Sequence, residues 1–255
     1  YFIMSTTESN KNIDELLDHL RKVNESNLID VFVPSINETV KFKQLTVKQQ
    51  SSLITGVISQ EADKNAFSYN RSTSTIINEN NVNGVNIRVT DRGPVLAQLR
   101  EDTLGGEIQI EDVTYDITGL EYKLHENSIK LISDTHNFSL SGMNVSYTTP
   151  SLDIDVALNA DAEDKWVEEE AVDIISDLFK LELAKFITNV TINEDIKIDM
   201  SDLSTEDKIK VCDALPVKVT RHVMKYIQDV KSLEQELLRL DDSTFIPTDI
   251  TLFST

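Results

Sequence analysis

The sequence has few cysteines, glycines and prolines, and cysteine is the residue on which small disulfide-linked or zinc-stabilised proteins depend. Its 255 residues include 7 glycines, 5 prolines and a single cysteine. One cysteine forms no intrachain disulfide and cannot build a four-cysteine zinc site. Because Cys212 lies in a helical pattern beside Ile209, Val211 and Leu215, we expect a small buried side chain rather than a reactive thiol.

Long apolar runs and positive charge are also scarce. No run approaches the roughly 18 apolar residues that cross a bilayer, and the N-terminus shows no signal-peptide core. The sequence contains 24 Lys and Arg against 44 Asp and Glu, which gives a formal net charge of −20. The negative electrostatic potential of such a chain repels phosphates and anionic lipids. Since no Lys/Arg cluster is evident, we expect neither nucleic-acid nor membrane binding; the acidity serves solubility or attracts a basic protein partner.

Signatures of catalysis and cofactor binding are missing as well. The sequence has no G-x-G-x-x-G or G-x-x-x-x-G-K phosphate loop and no G-x-S-x-G elbow. The four histidines, His19, His125, His136 and His222, lie far apart in the sequence and are expected to be surface or hydrogen-bonded residues. The sequence therefore predicts no enzyme, no cofactor and no metal centre.

One acidic cluster allows a calcium hypothesis. Its members are Asp153, Asp155, Asn159, Asp161, Glu163 and Asp164. The cluster lacks the central glycine and the terminal glutamate of an EF-hand loop. Alternation with Ile154, Val156 and Leu158 instead favours the exposed face of a strand.

Apolar residues recur at helical spacing in the first part of the chain. Residues 13–23 predict an amphipathic helix, and Thr46 caps a second one. A short helix follows Pro94, whose fixed φ suits a first turn. Between the first two helices, residues 29–33 and 39–42 alternate as the strands of a hairpin.

The middle of the chain changes period. From about Glu107 to Leu158 apolar residues recur at every second position, which predicts several antiparallel strands. Residues 153–158 are a last strand or an extended lead into a helix that starts near Asp161. The sequence thus predicts an α+β fold with helical N- and C-terminal parts around a β-rich antiparallel middle insertion. The expected regions are 1–104, 105–160 and 161–255.

Two stretches are ambiguous. The polar residues 64–86 either continue a helix or form a mobile connection. A helical stripe extends from residue 167 to 190, and residues 192–198 then form a short connection or a hairpin. Further on, Ser204 and Asp207 have the spacing of a capping box at a helix start.

The most regular apolar stripe lies near the C-terminus. Its members follow at spacings of three and four and are Val219, Val223, Ile227, Val230, Leu233 and Leu237. This face is either part of the core, the commoner explanation, or a coiled-coil seam through which copies of the chain self-associate.

Three groups of short motifs occur along the chain. They are Val33-Pro34-Ser35 with residues 40–50, Asp91 to Arg100 with Thr103-Leu104-Gly105, and 183–187 with 199–203 and Ala214-Leu215-Pro216. In this order they resemble the baseplate hub subunit family of T-even-like contractile-tail bacteriophages. The resemblance implies a role in baseplate or hub construction and transfers no catalytic residue. Some relatives carry a cysteine-rich metal knuckle, which a chain with only Cys212 cannot build.

The resemblance leads to two related hypotheses. In the first, the chain is a structural component of the tail baseplate, made in the host cytoplasm, that docks onto other phage tail or baseplate proteins. In the second, it is an assembly chaperone that is absent from the finished particle. A third hypothesis, from a different class, is a hydrolase or metal-dependent enzyme with an unrecognised site.

Overall fold

A computed structural model describes residues 4–58, 62–165, 171–193, 195–248 and 252–253. The α-helices of this part are α1 (Met4–Ser26), α2 (Val47–Ile58), α3 (Ala62–Asn80), α4 (Arg92–Leu104), α5 (Glu126–Ser133), α6 (Leu152–Lys165), α7 (Ala171–Phe186), α8 (Thr205–Ala214) and α9 (Val217–Leu237). The strands are β1 (Leu28–Val33), β2 (Glu38–Lys43), β3 (Glu107–Ile110), β4 (Val113–Asp116), β5 (His136–Leu140), β6 (Met143–Tyr147), β7 (Ile187–Ile192) and β8 (Ile196–Asp199). Short 3₁₀ turns at Val89–Asp91 and Met200–Asp202 precede α4 and α8. The predicted α+β class is confirmed.

All the described strand pairs are antiparallel. β1 and β2 form the predicted hairpin, with Val31 opposite Val40. β3 and β4 form a second hairpin. The remaining strands form one sheet in the order β5-β6-β7-β8, so each strand pairs with its neighbour along the chain. The helix pair α6–α7 is therefore inserted between the two middle strands of this sheet.

Two clusters of buried apolar residues form the core. The first gathers side chains from β1, β2, α2, α3, α4, the β3–β4 hairpin and the chain after α9. The second gathers side chains from β6, β7, the end of α7, α8 and most of α9. Helix α9 joins them, because Val219 to Val230 belong to the second cluster and Leu237 to the first. Both clusters draw residues from more than one of the three expected regions, whose boundaries stay a prediction.

Asp91 ties the β1–β2 turn to the start of α4. Its carboxylate accepts hydrogen bonds from the backbone N–H of Ser35 (2.8 Å), the Ser35 hydroxyl (2.6 Å) and the backbone N–H of Arg88 (2.9 Å). Burial raises the pKa of Asp91, and these hydrogen bonds oppose that rise. The Val33-Pro34-Ser35 and Asp91-to-Arg100 motifs are therefore joined in space.

Several assignments made from the pattern are wrong. Residues 153–158 are not a strand but the first part of α6, and Asp161 lies towards the end of that helix. Ile129 and Leu131 lie on α5, which divides the expected β region into two separate hairpins. The helical stripe ends at Phe186, since Ile187 and Val190 belong to β7. Residues 166–170, where that stripe was expected to begin, lie outside the described residues.

The structure decides between the alternatives at both ambiguous stretches. Residues 64–80 belong to α3, which ends at Asn80, and residues 192–198 contain the turn of the β7–β8 hairpin. The Thr46 hydroxyl accepts a hydrogen bond from the Gln49 backbone N–H, while the Gln49 side chain accepts one from the Thr46 backbone N–H. This reciprocal pair fixes the start of α2. Ser204 caps α8 in the same position, accepting from the Asp207 N–H.

Candidate docking surfaces

Helix α1 presents an apolar stripe to solvent. The stripe consists of Ile13, Leu16, Leu17, Leu20 and Val23, which are between 37% and 57% exposed. Their spacing places them on one side of the helix. A stripe of this kind is normally buried against another element, because each side chain gains about 1.5–3 kcal/mol by leaving water. Here its residues remain accessible to a partner.

The other side of α1 is charged. Asp14, Glu15, Asp18 and Lys22 are all exposed. The helix leads directly into β1 and touches the rest of the chain at β2. Helix α1 is thus amphipathic, with its polar face and much of its apolar stripe in solvent.

The regular stripe of α9 has a different environment. Val223, Ile227 and Val230 are fully buried in the second cluster. Leu237 is buried in the first cluster, and Leu233 is half-buried. These side chains pack inside the chain, so the face that could have served as a coiled-coil seam is occupied by the chain's own core.

The solvent side of α9 carries a feature that the sequence analysis missed. Lys218, Arg221 and Lys225 are exposed and follow at spacings of three and four, so they line one side of the helix. We call these three residues the basic row. Helical spacing, rather than adjacency in the sequence, is the signal that would have revealed it.

A cleft of about 540 Å³ lies where α4, α6, α7 and α9 meet. Its charged lining residues are Arg92, Asp155, Glu182, Lys185, Lys231 and Glu234. The Lys185 Nζ lies 2.8 Å from the Asp155 carboxylate, and the Lys231 Nζ lies 2.8 Å from the Glu182 carboxylate. Arg92 also forms an ion pair with Asp155. Three cations and three carboxylates balance one another, so this cluster has no net charge.

Asp155 is the centre of this ion cluster. It is 4% exposed. Burial alone would raise its pKa, but the charges of Arg92 and Lys185 more than offset burial and leave the pKa below its usual range. Burial raises the pKa of Glu234, against the opposing influence of Arg92 and Lys231. The calcium hypothesis is disfavoured for Asp155, because its carboxylate already pairs with Arg92 and Lys185.

Two of the four histidines lie near one tyrosine. The rings of His136 and His222 have their centroids 5.8 and 5.9 Å from the Tyr147 ring. The His136 Nε2 lies 3.0 Å from the Leu131 carbonyl oxygen, and the His222 Nε2 lies 2.9 Å from the Tyr147 hydroxyl. Across the part of the chain that the structure describes, no group of three potential metal ligands occurs.

Cys212 lies in the second core cluster. Cys212 is buried, and burial raises the pKa of its thiol to about 12. The expectation of a small buried side chain is confirmed. None of the described helices combines the length and the apolar character that a membrane crossing requires.

Comparison with known proteins identifies the family. A protein-family model described as "T4 bacteriophage base plate protein" matches residues 26–237, which covers most of the chain. No curated protein matches the chain, and no solved structure does. The matched region contains both core clusters up to the end of α9, while α1 lies almost wholly before it. The chain belongs to the T4 bacteriophage base plate protein family.

Proposed function

We propose that the chain is a structural component of a contractile-tail baseplate, in its hub or wedge, and that it acts by docking onto other tail proteins. The family match supports a structural role in the baseplate. The exposed apolar stripe of α1 is the observation that carries the docking hypothesis. In this proposal the stripe inserts into an apolar groove of a neighbouring baseplate protein, in the way that amphipathic helices generally recognise grooves.

The structural arrangement supports α1 as the contact. The apolar side of α9 is buried in the core, whereas the apolar stripe of α1 is exposed to solvent. Burying five apolar side chains in a partner would supply the desolvated centre that stable interfaces need. The ion cluster between α4, α6, α7 and α9 is internally neutralised, and it holds the body together rather than serving as a reaction centre.

The first test is quantitative mass spectrometry of purified phage particles from the source infection. We expect the chain in stoichiometric amounts beside the known tail proteins. Absence from particles, combined with abundance in the infected lysate, would replace this proposal with the assembly-chaperone hypothesis. The same measurement on isolated baseplates would separate a baseplate subunit from a component of the tail tube or sheath.

The second test addresses α1 itself. Leu16→Asp and Leu20→Asp place a charge in the stripe and are expected to abolish incorporation into baseplates, because a buried unpaired charge is strongly unfavourable. Lys22→Asp introduces the same side chain on the charged face of the same helix and should leave incorporation unchanged. Normal incorporation of both leucine variants, with folding verified by circular dichroism, would show that the stripe is not the contact.

A further inference from the structure

The basic row stands at a place where the local electrostatics of a helix disfavour cations. Lys218 and Arg221 lie at the N-terminal end of α9, where the helix dipole carries partial positive charge. Helix α9 has no acidic residue in its first turn, although the chain contains 44 Asp and Glu against 24 Lys and Arg. The stability of the helix therefore does not explain the basic row. Departures from a local preference, here the preference for acidic residues at a helix N-terminus, often occur at functional sites.

The row is also without an internal partner. Within the described ranges, Lys218, Arg221 and Lys225 make no ion pair or side-chain hydrogen bond, whereas Lys210 on the preceding helix pairs with Glu206 at 2.9 Å. Val217, next to the row, is 70% exposed. The start of α9 is thus a positively charged surface with an apolar residue beside it.

A complementary surface lies beside the residues that follow α9. The β3–β4 hairpin exposes Glu107, Glu111, Asp112 and Asp116, which we call the acidic hairpin. None of these four carboxylates pairs with a Lys or Arg in the described part of the chain. At the tip of the hairpin, Val113 is 51% exposed. This surface therefore mirrors the basic row in both its charge and its exposed valine.

Within one copy, none of the described ion pairs joins the row to the hairpin. The Tyr115 hydroxyl on β4 lies 3.1 Å from the Thr244 hydroxyl and 3.3 Å from the Asp241 carboxylate, so the hairpin stands beside the residues that follow α9. From Arg221 to the end of α9 at Leu237 the helix axis extends roughly 24 Å, at 1.5 Å per residue. The row therefore lies near the N-terminal end of α9 and the hairpin near its C-terminal end, so a second molecule can bring the opposite charge to each surface.

We propose that the basic row of one copy binds the acidic hairpin of a second copy, head to tail. Two molecules with a net charge of −20 repel each other in most orientations. The repulsion is relieved where the row faces the hairpin, so electrostatics select that orientation. Because the two surfaces differ, the contact is heterologous and generates a ring if the rotation closes or a chain if it does not. This inference uses surfaces other than α1 and does not depend on the proposed function.

Nucleic acid fits the row less well. Proteins that bind DNA through its backbone commonly make about 6–10 phosphate contacts, whereas the row offers three cations on a strongly acidic chain. An acidic protein surface with four carboxylates around an apolar residue matches the row in both charge and size.

The test is sedimentation velocity of the full chain over a range of protein concentrations, at low and at high salt. We expect self-association at low salt that weakens as salt is added, because salt screens exposed charges. Reversing the row (Lys218→Glu, Arg221→Glu, Lys225→Glu) should raise the dissociation constant by roughly tenfold or more. Reversing the hairpin (Glu107→Lys, Glu111→Lys, Asp112→Lys) should have the same effect.

Mixing the two reversed variants gives the decisive measurement. Each row then faces a hairpin of opposite charge again, so the mixture should associate although neither variant does alone. The control is Lys123→Glu with Lys130→Glu, which reverses two exposed lysines elsewhere and should leave association unchanged. Circular dichroism verifies that every variant is folded.

Several results would overturn the proposal. They are a wild-type chain that stays monomeric at low salt and high concentration, an unchanged dissociation constant in the row variant, and a mixture that fails to associate. Loss of association in Leu16→Asp but not in the row variant would assign the contact to α1 instead. Retention of DNA by the row in the absence of self-association would assign it to nucleic acid.

Discussion

Replacing Asp155 with Asn should destabilise the protein by about 3–5 kcal/mol at neutral pH, because it removes the carboxylate that pairs with the buried Lys185 and the partly buried Arg92. The Lys185 Nζ lies 2.8 Å from Asp155, and Arg92 contacts the other carboxylate oxygen. Lys185 is 9% exposed, and its other carboxylate neighbour, Glu182, lies farther away at 3.6 Å. The substitution keeps the shape of the side chain and removes its charge, which isolates the electrostatic contribution.

The assay is urea-induced unfolding followed by far-ultraviolet circular dichroism. Asp153→Asn is the matched control, because Asp153 lies two residues earlier on α6 and its side chain is exposed. Its one described contact is a hydrogen bond of 2.7 Å from the Asn78 side-chain amide. For this surface position we expect a change of no more than about 0.5–1 kcal/mol.

The pH dependence provides a second, independent readout. Burial alone would raise the pKa of Asp155, but the charges of Arg92 and Lys185 lower it by more than burial raises it. The pKa in the folded state therefore lies below the pKa in the unfolded state. The stabilisation by this carboxylate is therefore fully present above the unfolded pKa and is lost as the pH falls through the folded one. The difference between wild type and Asp155→Asn should accordingly shrink in acid. Equal losses for Asp153→Asn and Asp155→Asn, or a difference that does not change with pH, would refute the assigned role.

Two further predictions concern single side chains. Because burial raises the pKa of Cys212 to about 12, a thiol reagent at mildly alkaline pH should label the native chain far more slowly than the urea-unfolded chain, and rapid native labelling would contradict the burial. Ser204→Ala should lower the free energy of unfolding by about 1 kcal/mol, since the Ser204 hydroxyl accepts the Asp207 backbone N–H at 3.2 Å; unchanged urea unfolding would mean that this cap does not contribute.

The elements with ordinary apolar patterns could be predicted from the sequence. Residues 39–42 alternate between polar and apolar, residues 29–33 do so apart from Phe32, and the two segments form the β1–β2 hairpin. Thr46 and Ser204 carry hydroxyls at the starts of α2 and α8, where a local hydrogen bond suffices to fix the helix end. These features depend on neighbours a few residues away, so a single sequence contains the necessary information.

The apolar pattern of the sequence leaves α3 ambiguous and assigns the start of α6 to an extended segment, and both results have the same physical reason. The two helices pack against each other through polar residues: Ser74 on α3 and Asp155 and Asn159 on α6 are all buried. On α6 the buried positions 152, 155, 158 and 159 have helical spacing, but two of the four are polar. A search for apolar periodicity therefore finds only the alternation of Ile154, Val156 and Leu158. Recognising Asp155 as an interior residue requires knowing that Arg92 and Lys185 meet it there.

The stripes of α1 and α9 show a related limit that bears on function. Both helices space apolar residues by three and four, so the sequence alone gives no reason to assign one to the core and the other to solvent. The distinction depends on what surrounds each helix. The second cluster covers Val223, Ile227 and Val230 of α9, whereas Leu16 and Leu20 of α1 remain about half exposed. The exposed face of α9 consequently carries charged side chains, among them the basic row. The two proposed contacts, apolar docking through α1 and electrostatic docking through the basic row, therefore use different side chains on different helices, so each can be tested by substitutions that leave the other intact.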